Sequence, residues 1–266
     1  MSRTTSRRPL SALRRELKQL GIQGTILFLL LALGLGMLES PVFASRWLMP
    51  TLFCWGFVLW QCLRRLHLNH SPTDDKLLST LGTGNQLTLA RGLLIAATAG
   101  FLATTGLQTR PLLPYLPAIL YTAAALGDAL DGYIARKRQQ VTELGKELDT
   151  TLDATGLVIA PLLAVLYGKL FPIYLLVSVA YYLFQWGLLW RRRFNKPIYS
   201  LPPSRLRRQL AGYQMGLVAT VLWPLIPAFL SRPVGILFMV PMLAGFIRDW
   251  LIVSGRLRTH GDQQSL

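Results

Sequence analysis

Four aspartates in one stretch of the chain have types and spacings that suit metal-dependent chemistry. Asp128 and Asp131 are three residues apart, and Asp149 and Asp153 are four residues apart. On helices of about 3.6 residues per turn each pair projects from one face, so two facing helix ends would gather all four carboxylates. Hard divalent cations such as Mg²⁺ take oxygen ligands and keep positions open for substrate phosphates. The spacing therefore predicts a divalent metal site.

Long apolar segments adjoin these aspartates, which makes uncompensated negative charge costly. An acidic side chain at the centre of a membrane helix costs about 2.5–3.5 kcal/mol, so a cation or water must offset the charge. Small residues such as Gly132 and Gly145 allow a ligand to approach the backbone closely, and Arg136 offers a fork of donors to a phosphate. The alternative is that the aspartates only form salt bridges with Arg136, Arg138 and Lys146.

The fixed positions around the aspartates form a recognisable string. Residues 128–153 read D-x2-D-G-x2-A-R-x8-G-x3-D-x3-D. This string resembles the signature of the CDP-alcohol phosphatidyltransferase family, with every fixed position matched. The resemblance implies transfer of a phosphatidyl group from CDP-diacylglycerol, or of a phospho-alcohol from a CDP-alcohol, to an acceptor hydroxyl with release of CMP.

The resemblance also implies a role for each matched residue. Asp128, Asp131 and Asp149 would hold two Mg²⁺ or Mn²⁺ ions, and Asp153 would complete the cluster and act as general base. The metal would also have to acidify the acceptor hydroxyl. The implied contacts of the nucleotide and its phosphates are Gly132 and Arg136, with Gly145 leaving room for the same ligand. Thr142 is not a fixed position of the signature, but it follows Arg136 by six residues, and we expect its hydroxyl at the same site. A homodimer is the assembly that the family implies.

A second polar stretch, GNQLTLAR, stands before the third apolar segment. It places Asn85, Thr88 and Arg91 at three-residue intervals. Asn85 is suited to cap the helix that follows. Family members show a similar N-x-L-T-x-x-R pattern, which implies that Thr88 and Arg91 face the substrate diphosphate. Both interpretations stay open at the level of sequence.

The composition favours an integral membrane protein over a soluble domain. Of 266 residues, 52% are hydrophobic and 15% are charged. Segments of about 20 apolar residues span a bilayer, and we count eight candidates. They are 22–37, 47–63, 87–107, 112–134, 152–170, 171–190, 210–230 and 234–253. The sequence therefore predicts an all-α, polytopic membrane helix bundle.

A polar loop divides the chain into two parts. We predict an N-terminal amphipathic helix and a transmembrane hairpin over 1–81, a six-helix catalytic core over 82–256, and a polar tail over 257–266. The first 21 residues combine regularly spaced leucines with arginines, which favours a helix on an anionic leaflet, with a cleaved targeting segment as the alternative.

The formal net charge of +16 is explained by membrane orientation rather than by nucleic acid, because the basic residues cluster between apolar segments. Eight crossings place both termini on one side. All but four of the 28 Lys and Arg residues fall on that side; the four are Arg46, Arg110, Lys169 and Arg232. The positive-inside rule predicts that this side, with both termini and the acidic site, is cytoplasmic, and we expect a bacterial inner membrane.

Two other classes of membrane protein also place aspartates in apolar surroundings. Ubiquinone-type prenyltransferases bind metal diphosphates through two aspartate-rich motifs, but those motifs lie far apart in sequence. A transporter could use intramembrane acids for ion coupling, but it would not require the Ala-Arg pair and the spaced glycines. Both alternatives are therefore disfavoured.

The acceptor is not fixed by the signature. Relatives use glycerol 3-phosphate, an inositol phosphate, free inositol, serine or choline. The loop RRRFNKPIYSLPPSRLRR places Arg205, Arg207 and Arg208 at the start of a helix, which favours a phosphorylated acceptor. Membrane orientation alone is the alternative explanation of this basic loop. The G-K-x-K-T pattern of many relatives that use phosphorylated acceptors is missing.

Overall fold

The computed structural model describes residues 7–74, 76–106, 109–138, 142–201 and 204–257, with the side chains of 7, 8, 129–138, 205 and 208 left out. Within these ranges the chain is helical and forms eight long α-helices. They are α1 Arg7–Leu38, α2 Pro41–Arg65, α3 Gly82–Gly100, α4 Tyr115–Arg138, α5 Glu143–Leu166, α6 Leu176–Arg193, α7 Arg205–Val221 and α8 Ala228–Val253. The predicted all-α helix bundle is confirmed.

Several helices begin where the local sequence provides a cap. Ser40 accepts a hydrogen bond from the N–H of Phe43 and is followed by Pro41 in the first turn of α2. Ser204 caps α7 in the same way. Pro114 lies just before α4 and Pro117 lies in its first turn. These two prolines therefore start α4 rather than bend it, because proline is tolerated in a first turn.

The predicted N-terminal amphipathic helix is the first part of α1 rather than a separate element. Leu13 and Leu17 are buried against the protein. Glu16 accepts hydrogen bonds from the backbone N–H of Leu81 (2.9 Å) and from Nε2 of Gln86 (3.0 Å). This segment therefore packs against the start of α3. At about 1.5 Å per residue, the 32 residues of α1 exceed the hydrocarbon thickness of a bilayer, so one end of the helix must extend beyond it.

Four helix connections meet at one end of the bundle, which we call the second end. Glu39, between α1 and α2, accepts hydrogen bonds from Thr109, between α3 and α4, and the bond from the Thr109 side chain lowers the pKa of Glu39. Lys169, between α5 and α6, donates from Nζ to the carbonyl of Trp223, between α7 and α8 (3.4 Å). The Trp223 ring contacts Tyr115 edge to face. The eight helices therefore run alternately up and down between the second end and an opposite, first end.

Six helices in the described ranges are long and apolar enough to cross a membrane, namely α1, α2, α3, α5, α6 and α8. The other two, α4 and α7, carry the charged residues of the signature and of the basic loop. Both nevertheless connect the two ends of the bundle. The α4 helix returns the chain from the end of α3 to the start of α5, and α7 returns it from the end of α6 to the start of α8. Each of the eight predicted segments overlaps one helix, and six of these helices have the length and apolar composition of a membrane span.

The N-terminal hairpin shares one hydrophobic core with the helices that follow. Trp47 on α2 is buried and donates from Nε1 to the carbonyl of Ala97 on α3 (3.1 Å). A Cβ atom at Gly100 would lie 2.5 Å from Cδ1 of Trp47, so the close crossing of α2 and α3 requires glycine there. The predicted boundary at residues 81 and 82 coincides with the start of α3, and α2 covers one face of that helix.

Candidate metal and substrate site

A buried arginine holds three of the predicted aspartates together at the first end. Arg91, in the third turn of α3, donates from Nη1 to Asp128 (2.8 Å) and to Asp149 (2.5 Å), and from Nη2 to Asp153 (2.5 Å). The arginine side chain is 1% exposed, whereas the three carboxylates are 34, 43 and 48% exposed. The guanidinium therefore lies beneath the carboxylates, and their open side is accessible to a ligand.

The three carboxylates have the chemistry of a divalent metal site. One oxygen of each carboxylate lies within 4.8 Å of the corresponding oxygens of the other two. Three carboxylates and one guanidinium leave two negative charges, which a divalent cation would neutralise. Carboxylate oxygens are also the ligands that Mg²⁺ and Mn²⁺ prefer. This donor set fits a divalent ion.

Three further residues of the signature belong to α4. Asp131, Gly132 and Arg136 are helical, but their side chains lie outside the described residues. Asp131 follows Asp128 by three residues and therefore shares a helix face with it. The roles that the resemblance implies for these three residues stay predictions.

Thr142 and Gly145 shape the start of α5 beside the acidic cluster. Thr142 is the N-cap of α5: its Oγ1 accepts a hydrogen bond from the N–H of Gly145 (3.0 Å) and donates to Oδ1 of Asn85 (3.0 Å). A Cβ atom at Gly145 would lie 2.7 Å from the same Asn85 oxygen. The absence of a side chain at Gly145 thus makes room for Asn85. The predicted ligand contacts of Thr142 and Gly145 stay predictions.

Asn85 links three segments and does not cap α3, so its predicted capping role is wrong. The helix begins at Gly82, and Asn85 lies inside its first turn. Its Nδ2 donates to Oδ1 of Asn69 (2.8 Å) and to the carbonyl of Leu81 (2.8 Å). Asn69 is fully buried and donates to the carbonyl of Thr80. Sequence reasoning missed Asn69, because nothing in a polar loop distinguishes a side chain that becomes buried.

The side chains of Thr88 and Arg91, which belong to one sequence pattern, have different partners in the structure. Thr88 is buried and its Oγ1 donates to the carbonyl of Gly84 in the preceding turn (3.1 Å). Arg91 turns to the acidic cluster. The two side chains therefore make different contacts, and the predicted contacts of Thr88 and Arg91 with a substrate diphosphate stay predictions.

A cavity of about 420 Å³ leads from the acidic cluster into the bundle. Asp128, Asp153 and Thr150 line its mouth. Its deeper wall is formed by α4, α5, α7 and α8 and includes Tyr121, Leu157, Pro161, Gln214, Val218 and Met242. Sequence reasoning missed Tyr121 and Gln214, which lie in apolar segments without a motif.

A second cavity of about 300 Å³ adjoins the first and lies nearer the ends of α7 and α8. The two share Tyr181, Ala211 and Met242 in their walls. In the second cavity Nε of Arg207 lies 2.8 Å from Oδ2 of Asp249. The side chains of the other two predicted acceptor residues, Arg205 and Arg208, lie outside the described residues.

Comparison with known proteins identifies the class to which this fold and site belong. A family model described as CDP-alcohol phosphatidyltransferase matches residues 81–247, from the start of α3 into α8. The chain belongs to this family of enzymes, which confirms the resemblance inferred from the signature. The match includes both acidic pairs and removes the prenyltransferase and transporter alternatives.

One curated relative gives a more particular comparison. The CDP-diacylglycerol–glycerol-3-phosphate 3-phosphatidyltransferase of Rickettsia bellii is 43% identical over 81 residues, which cover 30% of this chain and 42% of the relative. This chain thus aligns with less than half of that relative's length. No solved structure matches the chain.

Proposed function

We propose that this protein is a membrane-embedded transferase that moves a phosphatidyl group from CDP-diacylglycerol to the hydroxyl of a polar alcohol and releases CMP. The observation that carries the proposal is the group of three signature carboxylates, held by Arg91 at the mouth of a cavity. Phosphoryl transfer depends mainly on positioning and on neutralising charge around the phosphate. This site provides both.

Each residue of the site has a part in this proposal. Asp128, Asp149 and Asp153, together with Asp131, would hold two Mg²⁺ or Mn²⁺ ions, which neutralise the diphosphate and acidify the acceptor hydroxyl. Arg91 keeps the carboxylates from α4 and α5 in register. The phosphate leaving group needs little acid assistance, since CMP departs as an anion.

Asp153 is the proposed general base. Its side chain is the most exposed of the three carboxylates and lines the cavity. It can therefore reach an acceptor hydroxyl that enters from the open side while Arg91 holds its other oxygen. Geometry of this kind is the first requirement for a base.

We propose that the nucleotide lies against the signature residues of α4. Gly132 lets the nucleotide approach the protein backbone closely, and Arg136 pairs with the phosphates of the nucleotide. Thr142 and Gly145 contribute indirectly, because they fix the start of α5 and hence the position of Asp149.

For the acceptor we propose a phosphorylated alcohol, with glycerol 3-phosphate as the first candidate. The Rickettsia relative is named as a glycerol-3-phosphate 3-phosphatidyltransferase, which supports glycerol 3-phosphate, and Arg207 and Arg248 line the cavity that adjoins the site. Free inositol, serine or choline as acceptor, and a CDP-alcohol as donor, are the alternatives.

We propose that the first end faces the cytoplasm of a bacterial inner membrane, with both termini on that side and the protein acting as a homodimer. Basic clusters such as Arg64–Arg65 and Arg191–Arg193 support this orientation. In a background without Cys54 and Cys62, a cysteine at Thr73 should be shielded from an impermeant thiol reagent in intact cells, and one at Leu112 should react. Labelling at Thr73 alone would reverse the orientation.

The function is tested by offering purified protein CDP-diacylglycerol, Mg²⁺ and each candidate acceptor. We expect CMP and a new phospholipid with glycerol 3-phosphate. Preference for free inositol, serine or choline over every phosphorylated acceptor would overturn the acceptor assignment. Absence of CMP with all acceptors would overturn the transferase assignment.

A further inference from the structure

Several polar groups in the interior of this bundle are hydrogen-bonded to other protein groups. Pro161 has no N–H to donate to the carbonyl of Leu157, and Oγ of Ser178 on α6 donates to that carbonyl instead (2.5 Å). The buried hydroxyl of Tyr174 donates to Gln214, whose Nε2 donates in turn to the carbonyl of Phe238 (2.6 Å). Buried polar groups are normally paired in this way.

Tyr121 lines the cavity and differs from Ser178 and Tyr174 in its hydrogen bonding. Its side chain is 3% exposed, and its hydroxyl makes no hydrogen bond to any described residue. Tyr121 lines the 420 Å³ cavity together with Asp128 and Asp153. A phenolic hydroxyl both donates and accepts hydrogen bonds, so it is a group that a ligand in the cavity would complete.

The position of Tyr121 fixes which part of a ligand it can reach. It precedes Asp128 by seven residues on α4, which is about two turns or 10 Å toward the second end. Its ring lies 3.6 Å from where a Cβ atom of Gly156 would stand, and Gly156 is one turn beyond Asp153 on α5. Tyr121 therefore lies directly inward of the carboxylates, on the side of the membrane interior.

The surroundings at that depth are uncharged. The neighbouring wall is formed by side chains such as Leu157, Val218 and Met242, whereas the charged groups Arg207 and Arg248 lie in the second cavity near the first end. A phosphorylated acceptor would lose hydration without a counter-charge beside Tyr121. A neutral, oxygen-bearing and largely apolar group fits this place better.

We propose that Tyr121 binds the lipid part of the donor by donating a hydrogen bond to an ester carbonyl of its glycerol backbone. With the diphosphate at the acidic cluster, the ester groups of a diacylglycerol are the next oxygens inward. Tyr121 is then a donor-binding residue that selects ester lipids. This inference rests on the proposed function and adds the contact that recognises the diacylglycerol moiety.

The test compares the CDP-activated diacyl lipid with its dialkyl ether analogue, which lacks both carbonyls, in the wild-type protein and in Tyr121→Phe. The wild-type protein should prefer the ester donor in kcat/KM by about three- to tenfold, which is the range for one neutral hydrogen bond. In Tyr121→Phe this preference should disappear through a higher KM for the ester donor. The KM of the acceptor should not change.

Tyr174→Phe is the matched control, because it removes a buried hydroxyl that already has a protein partner. It should lower the unfolding temperature and keep the ester preference, whereas Tyr121→Phe should keep the unfolding temperature. An unchanged ester preference in an active Tyr121→Phe protein, or a change in the acceptor KM alone, would overturn the inference. Failure of the wild-type protein to release CMP from either donor would instead overturn the proposed function.

Discussion

Two arginines at the first end of the bundle, Arg91 and Arg207, differ in the number of aspartates that they contact. Arg91 is almost fully buried and contacts the carboxylates of Asp128, Asp149 and Asp153, whereas Arg207 is 40% exposed and pairs with Asp249. The first group carries excess negative charge and the second is neutral. Both groups join neighbouring helices, α3 to α4 and α5 in one case and α7 to α8 in the other.

This difference in net charge indicates which of the two clusters would bind a cation. An ion pair of one arginine and one aspartate has no net charge, and at a partly exposed position it contributes little stability. Three carboxylates around one guanidinium are incomplete, because close like charges repel and raise the free energy of the folded state. The acidic cluster therefore has the net negative charge to bind a divalent cation, whereas the charges of Arg207 and Asp249 neutralise each other.

The largest expected effect comes from removing one charge of the cluster. Asp149→Asn should lower CMP release by at least about 1,000-fold, since it removes a metal ligand and one of the contacts of Arg91. Glu147→Gln on the same helix, which breaks only the exposed pair with Arg65, should stay within about twofold. Equal rates in the two variants would show that the cluster has no special role.

Removing the central guanidinium should have the next largest effect. Arg91→Gln removes the guanidinium that the three carboxylates contact, so the unfolding temperature in chelator should fall and added Mg²⁺ should raise it by more than in the wild-type protein. CMP release should fall by about 100-fold or more, with partial recovery in Arg91→Lys. Arg65→Gln serves as the control. An unchanged unfolding temperature in chelator would contradict the role given to Arg91.

A substitution at Arg207 tests whether the second arginine contacts the acceptor. If the phosphate of the acceptor uses this arginine, Arg207→Gln should raise the acceptor KM by about 10- to 100-fold, equivalent to about 1.5–3 kcal/mol for a charge-assisted contact. The donor KM should change little. Asp249→Asn keeps the arginine and should not raise the acceptor KM. A loss of stability without any change in acceptor KM would limit Arg207 to joining α7 and α8.

The smallest effect is expected at Asn69, which connects the N-terminal hairpin to the cluster only indirectly. Asn69→Ala leaves Asn85 with one fewer partner and should lower the free energy of unfolding by about 1–3 kcal/mol. CMP release should fall only a few-fold, because Thr142 still caps α5. Loss of all activity from a folded Asn69→Ala protein would mean that the loop before α3 contacts the substrate.

The sequence predicted those features that depend on local helix geometry. Asp149 and Asp153 share a face because they are four residues apart, and the signature placed Asp128 beside them. The partner of the cluster could not be found in this way, since the contact of Arg91 with all three depends on how α3, α4 and α5 pack. The same holds for Tyr121 and Asn69, which become important only through their neighbours.

Metal-dependent CMP release tests most directly whether the acidic cluster binds a catalytic cation. Purified protein stripped with chelator should release no CMP from CDP-diacylglycerol in the presence of glycerol 3-phosphate. Addition of excess Mg²⁺ or Mn²⁺ should restore release in the wild-type protein but not in Asp128→Asn. A full rate in excess chelator, or in Asp128→Asn, would contradict the assignment of this cluster as the catalytic metal site.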